Sequence, residues 1–136
     1  SSDAVYMLDW YAYGIGKVPT KVATTYQNIS DAWSLLIDQK WHDRITAIKA
    51  NDGGLSYVEF FEYRKNKMSI PLFNIYCATG SNREYYAERT DLIQLGQTTQ
   101  AIYFAKLTNE GEQSELALTG DEIKARFSLV NQAWNN

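Results

Sequence analysis

The chain offers very few side chains that could act as metal ligands, bases or nucleophiles. Among its 136 residues there is one histidine, His42, and one cysteine, Cys77. A zinc site draws several ligands from these two residue types, and a cysteine–histidine pair would need the single copy of each. The sequence therefore predicts no metal centre and no cofactor, and it favours a protein that binds over an enzyme.

The two rare residues receive limited roles. His42 lies at a polar segment end and is the candidate pH-responsive group, because the ordinary pKa of histidine lies in the physiological range. Asp43 is not expected to face it, since adjacent positions on a helix point apart. Cys77 lies in an apolar run and is expected to be a buried small hydrophobe. A redox role or a disulfide between chains is the alternative.

Two glutamates are the remaining catalytic candidates. Glu59 and Glu62 fall on opposite faces of a predicted strand, so one of them could point inward. Burial would raise the pKa of that carboxyl group and make it the base of a small hydrolase or isomerase. We favour instead a bulge or a sheet rim that leaves both side chains wet, because glutamate is seldom fully buried.

The strongest signal is aromatic, with 10 Tyr, 5 Phe and 4 Trp. Most of these rings must lie in the core, but one sheet and two helices cannot bury all of them. Tyr and Trp are favoured where one end is apolar and the other is wet, so the excess predicts a ligand cavity or a partner surface. The candidate ligand- or partner-binding residues are Trp10, Tyr57, Phe60, Tyr76, Tyr86 and Tyr103.

Composition and charge narrow the class of partner. A net charge of -3 argues against binding to nucleic-acid phosphates and against a polybasic membrane anchor. The 45% hydrophobic fraction is that of a globular chain, and the length fits a single domain over residues 1–136. The start at Ser1, without methionine, favours a trimmed or processed chain, so a membrane contact is expected only through a segment upstream of Ser1.

The spacing of apolar residues predicts helices in two places. From Val22 to Trp41, steps of three and four residues align one apolar face, which is typical of an N-terminal helical segment. Near the other end, Thr119 and Glu122 have the spacing of a capping box. The helix behind that box is expected to carry its apolar stripe on Ile123, Phe127, Val130 and Trp134.

Elsewhere the period changes to two, which predicts an antiparallel meander of about five or six strands in an α+β fold that could close like a barrel. Gly14-Ile15-Gly16-Lys17 lacks the spacing of a phosphate loop and predicts a plain turn. Asp52-Gly53 predicts a tight hairpin, and Pro71 places its strand at an edge or a bulge. The predicted strands cover residues 4–13, 44–50, 55–63, 68–78, 83–95, 101–107 and 114–118.

The overall plan is a short, mildly acidic, sheet-rich domain with the lone Cys77. It resembles the periplasmic domains of small accessory proteins of the ToxS, MyfF and FidL-like kind, which accompany membrane-bound transcriptional activators. The resemblance implies a periplasmic or otherwise extracytoplasmic domain, membrane-anchored in its full length. Such a domain binds and stabilises a partner regulator, as in virulence regulation, and senses a small molecule. This interaction domain is the leading hypothesis.

A carrier of a small apolar ligand is the first alternative. An aromatic first strand, a helical lid and a returning meander are also similar to the order of elements in fatty-acid-binding or calycin-type barrels. Such barrels hold one apolar ligand inside. The terminal capped helix is less typical of the fatty-acid-binding type.

Overall fold

A computed structural model describes residues 6–130, and most of their regular structure is antiparallel β-sheet. The strands are β1 (Tyr6–Ala12), β2 (Thr20–Asn28), β3 (Trp33–Leu36), β4 (Ile45–Asp52), β5 (Leu55–Glu62), β6 (Ile70–Thr79), β7 (Ile93–Gln97), β8 (Ala101–Leu107) and β9 (Phe127–Leu129). The helices are α1 (Glu84–Ala87), α2 (Asn109–Glu112) and α3 (Gly120–Arg126), and a 3-10 turn covers Gln39–Trp41.

These nine described strands form two sheets. The small sheet has the order β1-β2-β3-β9, and the large sheet has the order β4-β5-β6-β8-β7. The predicted meander accounts for β4, β5, β6 and β8. The sheets stack face to face and do not close into a barrel, so the barrel-like form of the prediction is wrong.

The hairpin of β4 and β5 follows the sequence prediction closely. Gly53 takes a positive φ of 62°, which glycine adopts without strain. The prediction for Pro71 is also confirmed. The register of β5 against β6 shifts between Phe60 and Phe61, where Phe61 lies opposite Pro71, so the proline lies beside a β-bulge.

The predicted N-terminal helical segment is instead β2, β3 and the 3-10 turn. Val22 and Tyr26 are four residues apart, a spacing that fits both a helical face and one face of a strand. The β-branched run before Tyr26 favours the strand. A turn then separates the two strands, with Ala32 at a positive φ of 61°.

Two other predicted strands are wrong. Residues 83–95 form α1 and then the short strand β7, and residues 114–118 lie outside any strand. Residues 109–112, between two of the predicted strands, form the helix α2, because the Thr108 hydroxyl caps it by accepting from the Gly111 amide at 2.8 Å. Gly111 is required there, since a Cβ would lie 2.3 Å from the Leu72 carbonyl oxygen.

The capping box of α3 is confirmed, with Thr119 and Glu122 bonding each other's backbone amides at 3.1 and 3.0 Å. The helix is shorter than expected. Phe127 is extended and begins β9, which pairs with β3. The predicted stripe therefore holds only for Ile123, which is fully buried, while Trp134 lies outside the described residues.

The core lies between the two sheets and is largely aromatic. Tyr26 of β2 meets Phe60 of β5 edge to face at 5.3 Å, and Phe60 stacks on Phe73 of β6 at 4.9 Å. Trp33 of β3 stacks on Phe127 at 5.7 Å. Such ring pairs add to the free energy gained from burial alone, and the contact of Tyr26 with Phe60 holds the small sheet on the large one.

Trp41 connects the 3-10 turn to residues 113–119, the segment between α2 and α3. Its ring is buried against Phe73 at 5.7 Å, and its Nε1 donates to the Leu116 carbonyl oxygen at 2.7 Å. Since that bond is buried, the carbonyl has no water to replace the indole donor.

We expect Trp41→Phe to lower the free energy of unfolding by about 2 kcal/mol or more, through the lost donor and the space left by the smaller ring. Chemical denaturation monitored by circular dichroism measures this difference. Trp10→Phe is the matched control, because Trp10 is exposed and its loss should change stability by less than about 0.5 kcal/mol. Equal effects for the two variants would contradict the assignment of Trp41 to the core.

Candidate functional site

The most unusual surface is a long β-hairpin formed by β1, the connecting turn and the first part of β2. Every residue from Met7 to Val22 is exposed. Monomeric proteins rarely leave a contiguous apolar patch of more than a few hundred Å² in water. We call this segment the apolar hairpin. Its large exposed side chains are Met7, Leu8, Trp10, Tyr11, Tyr13, Ile15, Val18 and Val22.

The end of the hairpin, residues 13–19, is its most exposed part, and we call it the hairpin tip. Ile15 is fully exposed, and Val18 and Tyr13 retain 85% and 77% of their accessible surface. The turn is closed by a bond from the Lys17 amide to the Gly14 carbonyl at 3.1 Å, and Gly16 has a φ of 73°. The predicted plain turn is thus present, and it carries apolar side chains into solvent.

The stem of the hairpin is held by side-chain bonds between its strands. On the outer face, the indole of Trp10 donates to the Thr25 hydroxyl at 2.9 Å. On the inner face, the Thr24 hydroxyl donates to Asp9 at 2.6 Å, and Lys21 lies 3.5 Å from the same carboxylate. The Thr24 bond, with Lys21 adding to it, holds the pKa of Asp9 below its ordinary value. The hairpin is therefore an ordered arm with its one acidic side chain paired.

A cleft of about 830 Å³ opens between the inner face of the hairpin and the start of β4. Three acidic residues line it, and each lies beside a basic one. Arg126 donates to Asp38 at 2.7 Å, and the Asp9 and Asp43 carboxylates face Lys21 and His42. The apolar lining includes Met7, Val22, Ala23, Leu36, Ile37, Trp41 and Ile45.

His42 lines this cleft beside Asp43, with 3.2 Å between Nε2 and the carboxylate. The expectation that the two side chains would not face each other is wrong. The chain is not helical there, because Asp43 takes a positive φ of 58° that turns its side chain back toward His42. The proposed pH response of His42 stays a prediction.

A second aromatic surface covers the outer face of the large sheet. Tyr57 of β5, Tyr76 of β6 and Phe104 of β8 are cross-strand neighbours. The ring centroids are 5.1 Å apart for Tyr57 and Tyr76, and 4.9 Å apart for Tyr76 and Phe104. Tyr86 of α1 stacks on Phe104 at 5.2 Å. The rings therefore pack mainly against one another, and Tyr57, Tyr76 and Tyr86 remain only partly exposed.

The structure divides the six predicted aromatic residues among three places. Tyr57, Tyr76 and Tyr86 share the outer face of the large sheet, and Trp10 lies on the apolar hairpin. Phe60 and Tyr103 lie in the core with 0% and 4% of their surface exposed, so they do not belong to a partner surface in this conformation. The hairpin tip is not among the predicted residues, although its Gly-Ile-Gly-Lys-Val-Pro run shows an apolar side chain between turn residues.

The two glutamates differ from the favoured interpretation. Glu59 lies on the outer face of the large sheet, but Glu62 is buried at its rim. The Ser114 hydroxyl donates to Glu62, and Arg64 pairs with it at 2.8 Å. These partners hold the pKa of Glu62 below its ordinary value, with Ser114 the larger cause. A base that works near neutral pH needs the opposite shift, so the geometry makes Glu62 a structural anion.

Cys77 is buried, as expected, and burial raises the pKa of its thiol to about 11. The reactive form of cysteine is the thiolate. A thiol with so high a pKa is poorly suited to redox chemistry, which weakens the redox interpretation of Cys77.

A polar cluster beside Cys77 was not predicted. It fixes the turn between β2 and β3 to the large sheet. The Ser56 hydroxyl donates to the Asp31 carboxylate at 2.5 Å, and the Tyr103 hydroxyl donates to the Asp31 carbonyl at 2.7 Å. Lys49 donates to the Ser30 hydroxyl at 2.7 Å. The cluster lines a second cleft of about 420 Å³.

Metal ligands and membrane-spanning helices were the two further features sought in the described part of the chain. Over residues 6–130, no three acidic, histidine or cysteine side chains come together as metal ligands. No helix in that range has the length and apolar character needed to cross a bilayer.

Comparisons with protein-family models, with curated proteins and with solved structures give no significant match to this chain. The function is therefore inferred from the geometry and from the plan-level resemblance of the sequence.

The ion pair of Glu62 predicts a specific acid sensitivity. Because the pKa of Glu62 is lower in the folded state than in the unfolded state, its contribution is present above the unfolded value and is lost as pH falls through the folded value. Glu62→Gln should lower the free energy of unfolding at pH 7 by about 2 kcal/mol and flatten its decline below pH 5. Glu59→Gln is the control, and urea unfolding between about pH 3 and pH 7 makes the comparison. A steeper acid decline for Glu62→Gln than for the parent chain would refute the assignment.

The burial of Cys77 predicts that the native thiol is inert. At pH 8 we expect a disulfide reagent such as Ellman's reagent to label the folded protein at least about a hundredfold more slowly than the protein in denaturant, because thiolate content and access are both low. The absorbance of the released thiolate follows the reaction. Rapid labelling of the folded chain would show that Cys77 is accessible.

Proposed function

We propose that this chain is a non-enzymatic interaction domain that binds a partner protein through the hairpin tip. The observation that carries the proposal is the exposure of Tyr13, Ile15 and Val18 at the end of an ordered arm. Apolar side chains held in water on a projecting turn gain free energy when they enter a pocket of another molecule. A rigid anchor of this kind also loses little conformational entropy on binding.

The arm is pre-organised for such a role. The Trp10 indole and the Asp9 carboxylate both bond across the stem, so β1 and β2 are fixed to each other up to the turn. The tip thus presents its side chains at the end of a stiff two-stranded ribbon. Interfaces are typically dominated by a few such anchors with polar groups around them, and Lys17 beside Ile15 would supply polar contact at the rim.

The proposed partner is a membrane-bound regulator outside the cytoplasm, and the domain would stabilise it and respond to a small molecule. This part of the proposal rests on the plan-level resemblance described for the sequence. The small molecule would bind in the cleft beneath the hairpin, which is supported by its position beside the arm and by its apolar and charged lining.

The alternatives receive less support. A calycin-like carrier needs a closed apolar interior, but the space between the sheets is filled by rings such as Tyr26, Trp33 and Phe60. An enzyme that uses a buried glutamate needs a carboxyl group with a raised pKa, whereas the partners of Glu62 lower it.

Site-specific photo-crosslinking in cells that express the protein tests the proposal. A benzophenone amino acid at position 15 should give one discrete adduct with a second protein. The matched control is the same probe at position 68, since Met68 is also an exposed apolar residue on a turn. With the captured partner purified, the double variant Ile15→Ser, Val18→Ser should weaken its binding by at least about a hundredfold, as loss of two apolar anchors implies.

Identical adducts from positions 15 and 68 would contradict the proposal, as would an adduct of the chain with itself alone. A captured partner that is not a membrane-bound regulator would contradict the proposed identity of the partner, but it would still support an interaction domain.

A further inference from the structure

We propose that the free edge of β1 pairs with β1 of a second copy, forming a symmetric, reversible dimer. This edge is a different surface from the hairpin tip, and the proposal does not depend on what the tip binds. The first observation is the position of β1 at the end of the small sheet. Half of the backbone groups of an edge strand are unpaired and can extend the sheet with another strand.

The other sheet edges in residues 6–130 are protected, whereas β1 is not. The strand β9 has only three residues, and α3 lies against β7, with Gly120 beside Ile93. The strand β4 ends at the exposed Asp52, and a charge on an edge opposes the approach of another strand. The seven residues of β1 include no proline and no lysine.

The single charge on β1 does not protect the edge either. The Asp9 carboxylate accepts from Thr24 and lies beside Lys21, both on β2 of the same copy. It is therefore directed across the hairpin and is largely neutralised. The remaining side chains from Met7 to Tyr11 are apolar or aromatic and each is exposed.

A second copy fits this edge because β1 can complement itself. Two antiparallel β1 strands related by a two-fold axis present the same apolar residues to each other, as an isologous interface requires. The small sheets of the two copies would then become one continuous sheet of eight strands.

The area available indicates a weak dimer. Met7, Leu8, Trp10 and Tyr11 are each between 39% and 48% exposed. If the full area of each side chain is about 200 Å², the exposed fractions amount to roughly 700 Å² over two copies, which is the most side-chain surface that this contact could bury. Even with the edge backbone added, this is less than the roughly 1,200 Å² of a standard stable interface, so the proposed dimer is weak and transient. The hairpin tips would remain exposed at opposite ends of the joined strands.

Sedimentation equilibrium over about 1 to 500 µM, a range that spans a micromolar Kd, tests the dimer on the purified chain. The weight-average mass should rise from 15.6 kDa toward twice that value. Leu8→Lys should weaken the dimer by at least about tenfold, because each copy loses an apolar contact and gains a like charge near the two-fold axis. Ile48→Lys is the matched control, with similar exposure on the edge strand β4 of the large sheet.

Hydrogen exchange of backbone amides tests the dimer without a substitution, in case Leu8→Lys perturbs the hairpin itself. In the parent chain, amides of residues 7–11 should exchange more slowly at high concentration than at low concentration, while those of residues 14–18 should not change. A monomer at every concentration would overturn the proposal, as would a dimer that Ile48→Lys disrupts and Leu8→Lys does not. Protection of residues 7–11 only when the tip-bound partner is present would overturn it in favour of a strand from that partner.

Discussion

The contacts on which the rest of the structure depends are those of Tyr26 with Phe60 and of Phe127 with Tyr103, between the two sheets, with Trp33 packed beside Tyr26 and Phe127. These rings fix β2 and β3 of the small sheet over the middle of the large sheet. Among the described strands β1 pairs only with β2, and its residues Met7 and Asp9 lie over the open cleft. The same aromatic packing that stabilises the domain therefore leaves the hairpin projecting.

The buried polar groups are found in the packed part of the domain and not on the projecting hairpin. Around the core, buried polar side chains are satisfied by fixed partners, as Glu62 is by Ser114 and Arg64. Asp31, at the turn between β2 and β3, is held by Ser56 and accepts the Tyr103 hydroxyl bond through its carbonyl. Such networks hold one arrangement in place, because an unpaired group in a region of low dielectric constant is costly. The large sheet is thus a stable base, and the surfaces suited to recognition lie on the hairpin.

Sequence reasoning predicts the elements whose signal is local. The turn at Gly53, the strand β8 and the capping box of Thr119 follow from turn chemistry, alternation and side-chain spacing, and none of them needs information from elsewhere in the chain. The β2 segment was misjudged because a spacing of four residues is compatible with both helical and strand periods, as Val22 and Tyr26 illustrate. The helix α3 was extended too far because the pairing of Phe127 with Leu35 of β3 is a long-range contact.

The candidate site was predicted in part, for a similar reason. Excess aromatic residues indicate that some rings lie at the surface, but composition does not say which. Tyr57 and Tyr76 are on the outer face, and Phe60, three residues from Tyr57, is in the core, because alternation sends odd and even positions to opposite sides of β5. The hairpin tip was missed because the exposure of Ile15 depends on where β1 and β2 lead relative to the large sheet. That direction is set by Tyr26, far from the tip.

The position of the two ends of the described chain follows from the same small sheet. Tyr6 lies opposite Gln27 in β2, and the Val130 amide donates to the Ala32 carbonyl at 2.9 Å, so both ends are close to the turn between β2 and β3. Residues 13–19 are at the opposite end of the ribbon, about 20 Å away at 3.3 Å per residue. A tether or neighbouring domain attached close to Tyr6 or Val130 would therefore lie at the end of the molecule opposite the hairpin tip, and the tip would stay accessible.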